Sequence, residues 1–175
     1  RLVMDSSNYK EQIKGDGVKL DDNGQLMHNK FCAIDNKIVI TGSFNPTDND
    51  NYNNNNNIVV IYSNILAGNY IDEFNELWGG KFGEGSNVEY PVFYVNNIKM
   101  ENYFCPDDNC ASRVIDLIKN AESSIYFMSF SFTNEEIADA LIMNGKGNLD
   151  VRGIFDSSQS SSKFSQFKRL QEFGI

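Results

Sequence analysis

One histidine, one tryptophan, three prolines and three cysteines are all that this chain of 175 residues holds of those four types. Cys105 and Cys110 have no Cys or His partners other than Cys32 and His28, which argues against a zinc site. No apolar run is long enough to span a bilayer. Positive charge is also scarce: 15 Lys+Arg face 24 Asp+Glu, a net charge of −9. Residues 1–90 carry 7 basic and 13 acidic side chains, and residues 91–175 carry 8 and 11. Non-specific nucleic-acid binding rests on clustered Lys and Arg, so this balance opposes it, although a local positive site can sit on an acidic body. The chain opens on Arg1 rather than Met, with no signal sequence visible, so the reading expects that something precedes Arg1 or has been removed. What is present is an ordinary globular mixture, 41% hydrophobic and 22% charged, sufficient for a substantial core.

The single histidine lies in the stretch that organises the rest, Met27 to Asn45. It reads His28-x-Lys30, then Asp35, then Gly42-Ser43-x-Asn45. Leu26 to Ile34 reads as a strand, short, apolar-rich and free of Gly and Pro. Residues two apart in a strand share a face, so His28 and Lys30 are expected to project together, away from Met27, Phe31 and Ala33. Asp35-Asn36-Lys37 suits a tight turn into a second β-branched run, Ile38 to Thr41. That hairpin would carry Gly42, Ser43 and Asn45 round toward His28. An imidazole, an ammonium, a hydroxyl and an amide together suit a phosphate: a nucleophile or base, a positive charge, and donors for the non-bridging oxygens. Taken singly, each has a plainer reading as surface histidine, solvated lysine or turn; the matched spacing favours the chemical one.

Elsewhere strands and helices alternate. Arg1 to Met4 ends as a strand, and Gly15 to Gly24 is polar and turn-rich. Pro46 to Asn57 is Asn-rich and reads as a solvated loop, followed by a strand from Ile58 to Tyr62. Ser63 or Asn64 caps a helix to Trp78, with Leu66, Tyr70, Phe74 and Leu77 on its core face and Gly79-Gly80 as its stop. Lys81 to Glu89 is the expected boundary, separating residues 1–90 from 91–175. Beyond it come a short strand at Pro91–Val95, a helix capped by Asp107 or Asp108, and a buried strand at Ser124–Phe130. A helix opened by Thr133-Asn134-Glu135-Glu136, a strand at Leu149–Phe155 and a helix at Lys163–Phe173 complete the order. The expected class is α/β, a layered mixed sheet flanked by helices. Cys32 reads as a small core residue. Cys105 and Cys110 flank four residues that a disulfide could close, a weak pointer to an extracytoplasmic compartment.

The chain also repeats itself. Arg1-Leu2-Val3-Met4-Asp5-Ser6-Ser7 resembles Arg152-Gly153-Ile154-Phe155-Asp156-Ser157-Ser158, and Gly17-Val18 resembles Gly174-Ile175. It reads as starting midway through one repeat and stopping midway through the next.

The His28, Lys30, Asp35 and Gly42-Ser43-x-Asn45 pattern resembles the HKD motif of the phospholipase D superfamily. That resemblance implies two homologous α/β halves, each with one motif, facing a shared site. Residues 1–90 would be the back of one half, and residues 91–175 the front of the next, cut before its motif. It further implies His28, Lys30 and Asp35 as the catalytic set, with His28 the nucleophile or its acid partner and Asp35 in a hydrogen-bonding, structural role. Lys30, Ser43 and Asn45 would hold the phosphate. Many relatives place Glu before the strand that follows the motif; here Asn56 and Asn57 stand there, making Asn56 the candidate to orient the histidine. No cofactor and no metal are implied. The expected partners are a phosphodiester substrate and a second half, supplied by a segment just beyond Ile175 or by a second copy of the chain. The run from Phe104 to Leu141 resembles the nuclease-like and cardiolipin-hydrolase-like branch, which favours a nucleic-acid backbone slightly over a phospholipid. The alternatives are a phospholipid hydrolase and a non-catalytic, phosphate-binding half.

Overall fold

The computed structural model describes residues 1–8, 15–147 and 149–175. They form two compact units, Arg1–Asp108 and Asn109–Ile175. The class is α/β, with parallel and antiparallel strand pairs and flanking helices. Among the described residues no helix is long and apolar enough to cross a membrane.

In the first unit β1 (Leu2–Asp5) pairs in parallel with β2 (Val18–Asp21). The second of these falls inside the stretch read as polar and turn-rich. β3 (Phe31–Ile34), β4 (Ile38–Gly42) and β5 (Ile58–Tyr62) make an antiparallel sheet in that order. The β3–β4 turn is left-handed at Asp35 and Asn36, with φ of 54° and 51°. Asp and Asn tolerate that region, and it matches the twist of the paired strands. The Asn-rich stretch is not loop throughout: Thr47 caps a short helix, α1 (Asp48–Tyr52), through a 3.2 Å bond from the Asp50 N–H.

Helix α2 (Asn64–Trp78) starts where expected, its Leu66 N–H bound by the Ser63 hydroxyl at 3.2 Å. Its apolar face buries Leu66 and Ala67 against Val39 of β4. Phe93 joins the same core from the hairpin β6 (Val92–Val95) and β7 (Ile98–Glu101), turned at Asn96 and Asn97. This burial places residues 91–108 within the first compact unit. Asn69 on α2 ties the hairpin down with bonds to the Tyr90 carbonyl (2.9 Å) and Asn102 (3.2 Å). Asp108 caps no helix. Its carboxylate instead accepts from the Phe104 N–H at 2.8 Å, Asn87 at 3.0 Å and the Val88 N–H at 3.2 Å.

In the second unit α3 (Cys110–Lys119) and α4 (Glu135–Lys146) pack beside the parallel pair β8 (Ser124–Ser129) and β9 (Asp150–Phe155). Asn134 rather than Thr133 caps α4, its side chain accepting from the Ile137 N–H at 2.8 Å. Two short helices follow, α5 (Ser157–Ser160) and α6 (Phe167–Glu172). Ala138, Leu141, Ile142, Val151 and Leu170 are the core. Contrary to expectation, β8 is not buried: its burial alternates, leaving Tyr126 and Met128 exposed on its outer face. Cys32 is exposed too, because Phe31 and Ala33 take the inward positions of β3. Cys105 and Cys110 are disulfide-bonded.

Leu66 and Leu141 are each 2% exposed. Leu66→Ala and Leu141→Ala are each expected to cost about 2–5 kcal/mol, from lost burial plus the cavity left behind. Urea denaturation measures both.

Candidate active site

Phe31 pairs with Thr41 across β3 and β4. Continuing that register past the ladder puts Lys30 beside Gly42, at the end of the hairpin from which Ser43 and Asn45 leave. The Thr41 hydroxyl donates to the Lys30 carbonyl at 3.0 Å. His28 and Lys30 precede β3 rather than lying in it, so the strand expected from Leu26 is shorter at its start. The reason is a missing partner. β4 ends at Gly42, and from there Ser43 bonds the Asn57 backbone, so residues 26–30 have no neighbour among the described residues to ladder with.

That segment is shaped by side chains. The Met27 N–H donates to the Asp5 carboxylate at 3.0 Å. Asn29 donates to Glu73 of α2 at 3.2 Å. The Lys30 ammonium donates to the His28 carbonyl at 2.9 Å. Below it, the Phe31 ring meets Tyr70 edge-on at 4.8 Å, and Tyr70 meets Phe104 at 4.9 Å. His28 is exposed and Lys30 half-buried.

Gly42 has φ 145°, and a Cβ there would lie 2.2 Å from the Asn57 carbonyl oxygen. Only glycine lets the two backbones approach this closely. That approach locks Ser43: its N–H donates to the Asn57 carbonyl at 3.1 Å, and its hydroxyl accepts from the Asn57 N–H at 3.0 Å. The hydroxyl also donates to Asn56 at 2.9 Å, and the Asn56 amide donates to the Asp50 carbonyl at 3.2 Å. Asn56, expected to orient the histidine, thus supports Ser43.

Asp50 organises the remainder. It is 8% exposed and accepts from the Asn45 N–H, the Asn45 amide and the Asn54 amide, each at 2.7 Å. The Asn45 N–H holds its carboxyl below the usual carboxylate range; burial opposes this, and the Asn45 and Asn54 amides and the Lys30 charge reinforce it. Lys30 shows the reciprocal effect. Loss of solvent lowers its pKa below the ordinary lysine value, and Asp50 pulls it back up. One N–H of the Asn45 amide is engaged, leaving a second to donate outward.

The hairpin therefore brings Lys30, Ser43 and Asn45, through Asp50 and Asn56, to one end, with His28 two residues before Lys30. Asp35 is not among them. It sits exposed at the opposite tip, a five-residue strand or about 17 Å away. Asp5, Asp50 and Glu73 were missed in the sequence. Thr47-x-x-Asp50 is a capping pattern that could have flagged Asp50. Asp5 stood in the repeated Asp5-Ser6-Ser7, but nothing local marks its contact with Met27 or that of Glu73 with Asn29, because both join residues distant in sequence. Beside Glu73 opens a cleft of about 370 Å³, lined by Asp72, Glu76, Asn87, Glu89 and Phe104 among others.

Gly42→Ala is expected to cost more than about 1 kcal/mol, because both its conformation and its neighbour exclude a side chain. Thermal melting reads this, and the Ser43 amide resonance should move with it. The folded pKa of Asp50 is depressed below 3.8, so its tie to Asn45 is complete above that value and is lost as pH falls through the lower folded one. The Asn45 amide resonance is expected to hold steady from pH 7 to 4, move only below that, and be displaced at every pH in Asp50→Ala.

Comparison with known proteins gives the same direction. The family described as "Cardiolipin synthase, PLD-like domain" matches residues 3–78 and 114–175. A phospholipase D of Rickettsia prowazekii (strain Madrid E) is 28% identical over 117 residues, covering 63% of this chain and 57% of the relative. A phospholipase D of Rickettsia bellii (strain RML369-C) is 33% identical over 86 residues, covering 49% and 43%. One of Rickettsia typhi (strain ATCC VR-144 / Wilmington) is 35% identical over 86 residues, covering 49% and 42%. The chain spans about half the length of these relatives. With most of its residues matched on both sides of one gap, the chain belongs to the PLD-like domain family of the phospholipase D superfamily.

Proposed function

We propose that the chain carries one reacting half of a phosphodiesterase that works through a phosphohistidine. The observation that supports this most is the collection of a half-buried lysine, a serine and an asparagine at one hairpin end, tied to Asp50 and Asn56, with His28 two residues before the lysine. In this reading the pattern from His28 to Asn45 is an HKD motif. The His28 imidazole nitrogen bonds to phosphorus, and the bond from phosphorus to the leaving oxygen breaks. A second imidazole gives that oxygen its proton. The same imidazole then takes a proton from water, whose oxygen attacks phosphorus and breaks the P–N bond. Lys30 and the Asn45 amide offset charge on the non-bridging oxygens, joined by Ser43 once its hydroxyl turns from Asn56. Asp35 serves the turn.

For the substrate, the sequence pattern favours a nucleic-acid backbone, whereas the net charge of −9 opposes a polyanion and the relatives' name points to a phospholipid. Two exposed apolar side chains in the segments that carry the site, Leu26 and Tyr52, also suit a lipid. We therefore place the phospholipid first. The second histidine would come from the other half of an internal repeat. Asp5-Ser6-Ser7 and Asp156-Ser157-Ser158 support such a repeat by making the same turn, each Asp accepting from the N–H two residues on at 2.9 Å. A second copy of the chain is the alternative source.

His28→Ala in the intact protein is expected to lower turnover at least about a hundredfold with the fold retained. Phosphatidylcholine, cardiolipin, single-stranded DNA and duplex DNA, assayed side by side with EDTA, separate the substrates; activity is expected to persist under chelation. A variant that keeps its turnover removes His28 from the mechanism.

This chain alone, held monomeric, is expected to be inactive, since it has one histidine and the cycle uses two. Light scattering run beside the assay checks this, and a fully active monomer would refute the two-histidine scheme.

A further inference from the structure

Residues 27–30 have no strand partner among the described residues, and contacts with other elements help to set the direction in which His28 and Lys30 project. Helix α2 supplies two, one turn apart. Tyr70 packs on Phe31, and Glu73 accepts from Asn29, the residue between the histidine and the lysine. We propose that Glu73 is a positioning residue, which through Asn29 sets how His28 and Lys30 face the phosphate. The proposal rests on the reading of His28 and Lys30 as the reacting pair, but it names a residue outside the motif and on a different element.

Three features favour Glu73 in this role. It is half-buried on a helix that is itself anchored by Leu66 and Ala67, so it is a firmer support than a loop residue. It reaches the side chain of Asn29, and so holds the segment without occupying the backbone that carries the histidine. Its surroundings also make it titrate. Burial first, then the Glu76, Asp107 and Asp108 carboxylates facing it, push its pKa up to about 7, with the Asn29 bond pulling the other way. Tyr70, one turn away, is raised first by burial and then by the Glu73 charge, with a bond to Thr41 opposing. As pH rises through 7 the carboxyl ionises and becomes a stronger acceptor for Asn29. Acceptance needs only an oxygen, so glutamine can replace it where alanine cannot.

The test uses Glu73→Ala, Glu73→Gln, Asn29→Ala and the Glu73→Ala/Asn29→Ala pair. In the intact protein, Glu73→Ala and Asn29→Ala are each expected to lower kcat about tenfold with KM little changed, as misplacement of a reacting group does. The double variant should lose no more than either single one, and Glu73→Gln should stay within about twofold of wild type. Nitrogen NMR of this 175-residue chain gives a readout independent of turnover. The Asn29 side-chain amide should titrate with a midpoint near 7 in the wild type and not in Glu73→Gln, and the His28 ring resonances should move alike in Glu73→Ala and Asn29→Ala. Unchanged kcat in Glu73→Ala, additive losses in the double variant, or His28 resonances that ignore both substitutions would overturn the proposal. If the wild type is inactive on every phosphodiester, the proposed function fails, and the NMR arm still decides the positioning. Should Glu73→Ala not fold, the exposed Asn29→Ala carries the same comparison.

Discussion

Phe31 lies opposite Thr41 in an antiparallel pair, and the placement of every chemical group near the site follows from that register. It sets Lys30 beside Gly42, turns Phe31 and Ala33 inward, and leaves Cys32 outward. A slip by one residue would send the inward set to solvent and carry Lys30 away from Ser43. The register is secured twice, by the left-handed turn at Asp35 and Asn36 and by Val39, fully buried beneath α2 on the neighbouring strand. Asp35 thus contributes to the site from a distance, through geometry rather than contact.

The acidic composition contrasts with the lysine at this hairpin end, and the structure shows how the local charges are balanced. Lys30 loses solvent and is met by Asp50, whose carboxylate is itself satisfied by three bonds from Asn45 and Asn54. A carboxylate so occupied supports the lysine without pointing at a ligand. Asn56, uncharged, adds no further negative charge. Its amide bridges Ser43 to the backbone of Asp50. The asparagines of this region therefore join the hydroxyl, the carboxylate and the short helix α1 into one network. The compositional reading of the region as solvated loop missed this, because Asn is polar whether it faces water or a partner.

Elements with strong local signals were legible. Ser63 before α2 and the β-branched run of β4 lie where capping and propensity put them, and α4 starts within one residue of its expected cap. Elements with weak ones were not. β2 and β7 are four residues each and contain charged side chains, and their pairing with β1 and β6 is what makes them strands. Asp108 looked like a helix cap because Asp favours that position; three donors from residues 87, 88 and 104 claim it instead.

The sequence by itself determined the family, since the motif depends on residue type and spacing, and it marked His28, Lys30, Ser43 and Asn45 as candidates before any fold is known. It also determined the α/β class, through the alternation of strand and helix patterns. Tertiary structure alone decided which residues hold that set in place. Asp5, Asp50 and Glu73 act on Met27, Asn45 and Asn29 through hydrogen bonds, and two of those three span more than 20 residues. A carboxylate that closes such a contact has the same identity and local pattern as one on a solvated surface, so only packing could distinguish them.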